Sequence, residues 1–454
     1  MTRLLLSAGR VIDPASGRDE AADLMIEDGR IAAIGPAKSL GRADRTIDCR
    51  GQLVVPGLID LHVHLREPPF LHAAEAPGST NARLAESRLN GAGSPHPDLP
   101  ETIASGCAAA VAGGFTTIAA MPNTTPPLDS AEAVAYYVRR AAEINLARVL
   151  PVACMTVGRK GAAPADLAAL HAAGAAAFSD DGSDVADPAV FEAVLRAAAR
   201  LGRPVLCHAE DAALAAGGVL NDGPLATALG LPGIPPESEE VAVVRACEAA
   251  ARTGCHVHIC HVSTEGACDA IRRAKAAGAP VTAEAAPQHL ALVEEALAGR
   301  NTVFKVNPPL RSGHDVDAVL AAVRDGTIDC LATDHAPHTA AAKAKRLAEA
   351  PCGMIGLESA VPVYAKALVE SGLLTWPEVI RRMTANPARV LGLAAGTLAV
   401  GAAADVAVLD PETRWTIDPA KFVSRARNCP FAGWDVRSRA VTTIVGGRVV
   451  YVAT

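Results

Sequence analysis

Residues 54–64 read VVPGLIDLHVH, an apolar run that closes on two histidines one residue apart. A strand has a period of two, so His62 and His64 share one face and aim the same way. Seven more short apolar runs follow: TTIAAMPNT, ARVLPVACMTVG, AAAFSDDG, PVLCHAED, HVHICHVS, VTAEAAPQ and DCLATDHAPH. Between them lie stretches of helical periodicity such as EAVAYYVRRAAEI, PAVFEAVLRAAARL and GACDAIRRAKAAG. Strand alternating with helix predicts parallel βα units, and eight of them close an α/β fold of the TIM-type (β/α)8 barrel class. Chemistry in such a barrel sits where the strands end, so the polar residue closing each apolar run is the one to read.

Outward from the barrel, residues 1–54 and 395–454 show short alternating strands with Asp-Gly and Gly-Arg turns. Neither end completes a sheet alone, so the two are expected to pair into one small composite β-sandwich flanking a barrel over residues 55–394. Residues 69–100, rich in Pro, Gly, Ser and Ala, read as a long insertion after the first strand, with His72 and His96 as solvated loop histidines. The 454 residues suit a barrel of ~250 residues plus something smaller. A net charge of −7 and 3% aromatic residues argue against a nucleic-acid or anionic-lipid partner. Eleven cysteines without a C-x-x-C pair argue against a disulfide framework, and the opening MTRLLLSAGRVIDP has too short an apolar run for a signal peptide. The uncharged stretch 102–128 contains Gly113-Gly114 and three prolines, which excludes a membrane span. A cytoplasmic protein is expected.

Ligand-type residues recur at the strand ends. Asp180 and Asp181 close the fourth run, His208 the fifth, His261 the sixth and Asp334 the eighth. Four histidines and at least two carboxylates exceed the needs of one tetrahedral zinc, so the economical reading is a site for two divalent ions, zinc above all, with a carboxylate between them. His256 and His258 read as packing or supporting histidines, and Asp180 as a residue that either supports Asp181 or, the preferred reading, shapes the Asp-Gly turn. Cys207 and Cys260 each adjoin a ligand histidine, and strand alternation turns both away from the ligand face into the core.

The segments HVHLREP, MPNT, FSDDG, CHAED, ICHVST, VNPPLR and TDHAPH together resemble the metal-dependent cyclic amidohydrolases, and among them the class I dihydroorotases. The resemblance implies reversible hydrolysis of dihydroorotate to N-carbamoyl-aspartate in pyrimidine synthesis. It implies that His62, His64 and Asp334 hold one metal, His208 and His261 the second, and Asp181 bridges them, with Asp334 serving as base and then acid. Dihydropyrimidinases, hydantoinases and allantoinases commonly place a carboxylated lysine at the bridge, and the fourth run here contains none. For the substrate, Arg66 offers a planar fork to its carboxylate, Asn123 and His338 complete that subsite, Asn307 meets the ring, and the backbone of Cys352 and Gly353 lines it, Cys352 standing where Phe is more usual. Two other readings remain open at this point: another cyclic amidohydrolase, or a dihydroorotase-like scaffold of aspartate transcarbamoylase. A homo-oligomer and a transcarbamoylase partner also follow from the resemblance.

Overall fold

The computed structural model describes residues 3–36, 39–67 and 99–453. The insertion expected at 69–100, apart from its last two residues, lies outside them, as do His72 and His96.

All eight expected barrel strands form. In chain order they are Leu58–Val63, Phe115–Ala120, Arg148–Ala153, Ala177–Phe178, Val205–Cys207, Val257–Ile259, Val281–Ala285 and Cys330–Leu331. Each pairs in parallel with its neighbours in sequence order, and a bridge between Val63 and His335 brings the eighth back to the first. Side chains from alternate faces explain why the runs are apolar throughout: parallel strands are covered on both sides. Leu61, Ala119, Val152, Ala177, Leu206 and Cys330 belong to one small buried cluster inside the barrel. Ile118, Val205, Val257 and Ile259 belong to a larger one shared with the surrounding helices. The helices begin where the sequence supplies a side-chain acceptor for the free N–H groups of a first turn. Thr102 caps Ile103–Ala112, Ser130 caps Ala131–Ile144, Asp187 caps Pro188–Arg200 and Thr264 caps Glu265–Ala276.

The two ends of the chain build one further eight-stranded sheet, as their shared texture predicts. Its junction is Leu53–Pro56, which pairs in parallel with Arg3–Asp13 and antiparallel with Val406–Thr416. Leu6, Val11, Leu24, Val54, Val406 and Ile444 form its core. The stretch 54–64 is therefore two strands in two sheets, where its apolar run alone reads as one barrel strand. Gly57 is the joint. Its N–H donates to the Asp405 carbonyl at 2.9 Å. A Cβ there would stand only 2.1, 2.3 and 2.7 Å from Oγ1, Cγ2 and Cβ of the buried Thr116.

Gly57→Ala should therefore lower the denaturant or thermal midpoint by the equivalent of ~1–3 kcal/mol, the usual cost of overpacking. Adding Thr116→Ala should restore part of the loss, since two of the three clashing atoms disappear. Strictly additive losses in that double variant would show that the contact is not the constraint.

Candidate metal centre and active site

Parallel closure puts every strand's C-terminal end on one rim, and the six ligand-type residues meet there. His62 and His64 come from the end of the first strand, Asp181 follows the fourth, His208 the fifth, His261 the sixth and Asp334 the eighth. All six are buried. His62 Nε2 lies 3.2 Å from Asp181 Oδ1 and 3.6 Å from Asp334 Oδ1, and His64 Nε2 lies 3.5 Å from Asp181 Oδ2 and 3.2 Å from Asp334 Oδ1. On the other side, His208 Nδ1 and His261 Nε2 each stand 3.7 Å from Asp181 Oδ1 and 2.9 Å from one another. Two groups that could hold a metal ion result, His62/His64/Asp181 and Asp181/His208/His261, and Asp181 belongs to both.

The donor atoms fit such ions. His62 Nε2 and Asp181 Oδ1 are buried without a hydrogen-bond partner, an arrangement that native structures avoid unless something else satisfies the atoms. Imidazole with carboxylate is a donor set matched to zinc among the common divalent ions. Burial alone would raise the Asp181 pKa, but the adjoining His62, His208 and His261 outweigh it and hold the carboxyl well below its ordinary range. Asp334 is lowered in the same way, burial being overcome by His64 and His62. Backbone strain is concentrated here too. Arg66, His261 and Asp334 adopt φ of +59°, +35° and +47°, a left-handed region that costs a non-glycine residue on the order of 1–3 kcal/mol.

A layer of hydrogen bonds orients the ligand-type side chains. His62 Nδ1 lies 2.8 Å from Glu284 Oε1, Glu284 Oε2 lies 3.1 Å from His258 Nε2, and Thr282 Oγ1 lies 2.8 Å from both His258 Nδ1 and His256 Nε2. With Nδ1–H donating to Glu284, the Nε2 lone pair of His62 is left facing the centre. Glu284 is a residue that sequence reasoning missed. Its signal was the one charged residue in the seventh strand, VTAEA. His256 and His258 are supporting histidines, as expected. Glu210 was also missed. It lies 3.7 Å from His208 Nε2 and accepts from Asn307 Nδ2 at 3.0 Å.

Asp180 fills both roles open to it: its carbonyl accepts from Ser183 N–H at 2.9 Å in the turn, and its buried carboxylate accepts from the N–H groups of Met155 at 2.8 Å and Thr156 at 3.2 Å, tying the third strand's loop to the fourth. One expectation needs correction. Cys207 does pack in the outer core, but Cys260 faces inward and groups with His62 and Glu284. The strand ends at Ile259, and the left-handed turn at His261 breaks the alternation on which the expectation for Cys260 rested.

The residues expected to meet substrate lie around this centre. Arg66 spends Nε on the Pro337 carbonyl at 3.2 Å, and among the described residues its terminal nitrogens have no protein acceptor. Asn123 Oδ1 lies 2.8 Å from His64 Nδ1, so only its amide NH2 remains for a ligand. Asn307 is the converse, with Nδ2 engaged and Oδ1 buried and unpartnered. His338 Nε2 donates to the Cys352 carbonyl at 2.6 Å. Gly353 sits at φ +135°, where a Cβ would come within 2.8 Å of both Ala336 Cβ and His338 Nε2, so the loop can close on His338 only with glycine there.

Residues 53–450 match the amidohydrolase family, and the chain belongs to that family of hydrolytic enzymes. Dihydroorotases are among its full-length relatives. That of Pelotomaculum thermopropionicum is 45% identical over 99% of this chain and 98% of its own length. That of Syntrophotalea carbinolica is 43% identical over 99% of each. Among solved structures, the L-hydantoinase (dihydropyrimidinase) of Arthrobacter aurescens superposes with a TM-score of 0.82 at 26% identity, covering 100% of this chain and 98% of that one.

Replacing Glu284 by Gln keeps the volume but removes the charge that holds His62 Nδ1–H. Zinc affinity, measured by competition with a chelator, should fall ~10–100-fold, the usual effect of losing such a partner. An unchanged affinity would mean that Glu284 only fills the barrel.

Proposed function

We propose that this amidohydrolase is a dihydroorotase, converting (S)-dihydroorotate and water to N-carbamoyl-L-aspartate and back. The observation that carries the reading is the position of Arg66, a half-buried guanidinium at the rim whose fork has no acceptor among the described residues, next to a centre whose shared ligand-type residue is the carboxylate Asp181. A ring bearing a carboxylate needs such a fork, and an uncharged hydantoin or dihydrouracil does not. Burial lowers the Arg66 pKa only to about 10, so the group stays charged at neutral pH.

Two divalent ions, zinc being the best match, belong to this reading: His62, His64 and Asp334 would hold one, His208 and His261 the other, with Asp181 between them. When bound, such ions polarise an amide carbonyl and make water acidic enough to supply a nucleophile near neutral pH. The chain's own groups do the rest. Arg66 and the Asn123 amide hold the ring carboxylate, His338 joins them by turning its Nε2–H from the Cys352 carbonyl to that anion, and the free Oδ1 of Asn307 accepts from a ring N–H. The backbone of Cys352 and Gly353 lines the ring. Asp334, whose Oδ2 is steadied by Gln288 Nε2 at 3.4 Å, takes the proton released as water adds and returns it to the departing ring nitrogen. In ring closure the same carboxyl runs in reverse. A cytoplasmic setting and self-association, alone or with an aspartate transcarbamoylase, are part of the proposal, and sedimentation with and without that enzyme tests the association. Among the described residues no helix is long and apolar enough to cross a membrane.

Steady-state hydrolysis of dihydroorotate by the purified chain with zinc is the direct test. Asp334→Asn should fold normally and lose ~10²-fold or more in turnover, the typical share of a positioned acid-base group. Near-native turnover would remove Asp334 from the proton transfer. Arg66→Met should damage use of dihydroorotate far more than binding of a ring without the carboxylate, and equal losses on both would make Arg66 structural.

A further inference from the structure

Two lysines next to the site are buried, Lys305 at 6% exposure and Lys343 at 7%. Lys305 precedes Asn307, and Lys343 closes the short helix after His338. Each reaches into the other's segment. Lys343 Nζ donates to the carbonyls of Thr302, Lys305 and Pro351 at 3.0, 3.2 and 2.9 Å. Lys305 Nζ donates to the carbonyls of Leu347 and Ala348 at 2.8 and 3.3 Å. Gly353 N–H returns a bond to the Lys305 carbonyl at 2.9 Å. The segments that carry Asn307 and Cys352–Gly353 are thus laced together by two ammonium groups.

Every acceptor in this clamp is a neutral carbonyl. Among the described residues neither ammonium has a carboxylate within ion-pair distance, and Arg66 likewise contacts only a carbonyl. Buried charges without a counter-charge cost several kcal/mol each, and a fold concerned only with holding a loop could use neutral donors. Burial pulls the Lys343 pKa down to about 8, the direction expected of an ammonium lacking an anion. The field of both lysines reaches Cys352, and that of Lys343 reaches His338 and Arg66.

We propose that Lys305 and Lys343 are specificity and positioning residues: an uncompensated cationic clamp that sets the substrate loop and makes the site select anionic rings. The ligand's own carboxylate supplies part of the missing counter-charge. This rests on the dihydroorotase reading above.

The test uses the zinc-loaded full chain and two probes, dihydroorotate as substrate and its uncharged carboxamide as competitor. Lys305→Met and Lys343→Met should each raise KM for dihydroorotate on the order of tenfold, with kcat less affected, because a unit charge is lost from a low-dielectric wall. The inhibition constant of the carboxamide should stay within about twofold. Equal weakening of both probes would reduce the lysines to loop supports, and no change in either would remove them from recognition. Either result overturns the proposal. Thermal melts establish folding, and where a Met variant does not fold, Lys→Gln at the same position, which keeps an N–H donor without the charge, decides by the same comparison. A native chain inert toward dihydroorotate would instead overturn the functional reading on which this one rests.

Discussion

The structure turns on one buried carboxylate. Asp181 stands within 3.7 Å of ring nitrogens from His62, His64, His208 and His261, residues that enter from three different strands. Bringing so many polar groups out of water is unfavourable unless each finds a partner, and protein atoms alone do not suffice, since one Asp181 oxygen and one His62 nitrogen remain unmatched. Parallel pairing of the barrel makes the meeting geometrically possible, because it delivers every strand's last residue to the same rim. Beneath the cluster the barrel interior is packed with apolar side chains of mixed size, Leu61, Val152 and Leu206 among Ala119, Ala177 and Cys330.

Precision at that layer comes from groups that do not face the centre. Glu284 couples His62 to His258, Asn123 turns His64, and Asp180 ties the loop after the third strand to the residue beside Asp181. Left-handed backbone at Arg66, His261 and Asp334 shows the same principle from the main chain: three rim residues hold conformations they would not choose, and the surrounding hydrogen bonds keep them there. The strain lies where side chains must turn inward just after a strand has ended.

This also marks where reading the sequence works and where it stops. The eight strands and the six converging residues were legible because period-two alternation and polar run-ends are local properties. Cys260 was misread because its orientation depends on a backbone turn at His261 that alternation cannot foresee. The joint between the two strands of residues 54–64 has room for glycine alone because Thr116, some sixty positions away, occupies the space a Cβ at Gly57 would need. Glu284 looks unremarkable in its own strand and acquires a role only through His62, 222 residues earlier. The paired lysines are of the same kind, since nothing in KVNPPLR or HTAAAKAK alone says that each cation will be buried against the other's segment.

The likeness to a hydantoinase, a TM-score of 0.82 at 26% identity, sharpens what the fold can and cannot decide. Two chains can share nearly the whole barrel and its terminal sheet and still differ in the ring they open, because a fold specifies where chemistry sits and not which substrate it serves. In this chain the features that bear on the choice of ring are few: a carboxylate at Asp181 in the shared ligand position and, among the described residues, Arg66 with its terminal nitrogens unpaired and Lys305 and Lys343 without an ion-pair partner. The first concerns the chemistry, and the others concern charge. A neutral ring placed beside Arg66, Lys305 and Lys343 would add nothing to offset their positive field, whereas a ring with a carboxylate offsets part of it as it binds, so on the proposal above the selection resides in the electrostatics of this wall and not in any single hydrogen bond.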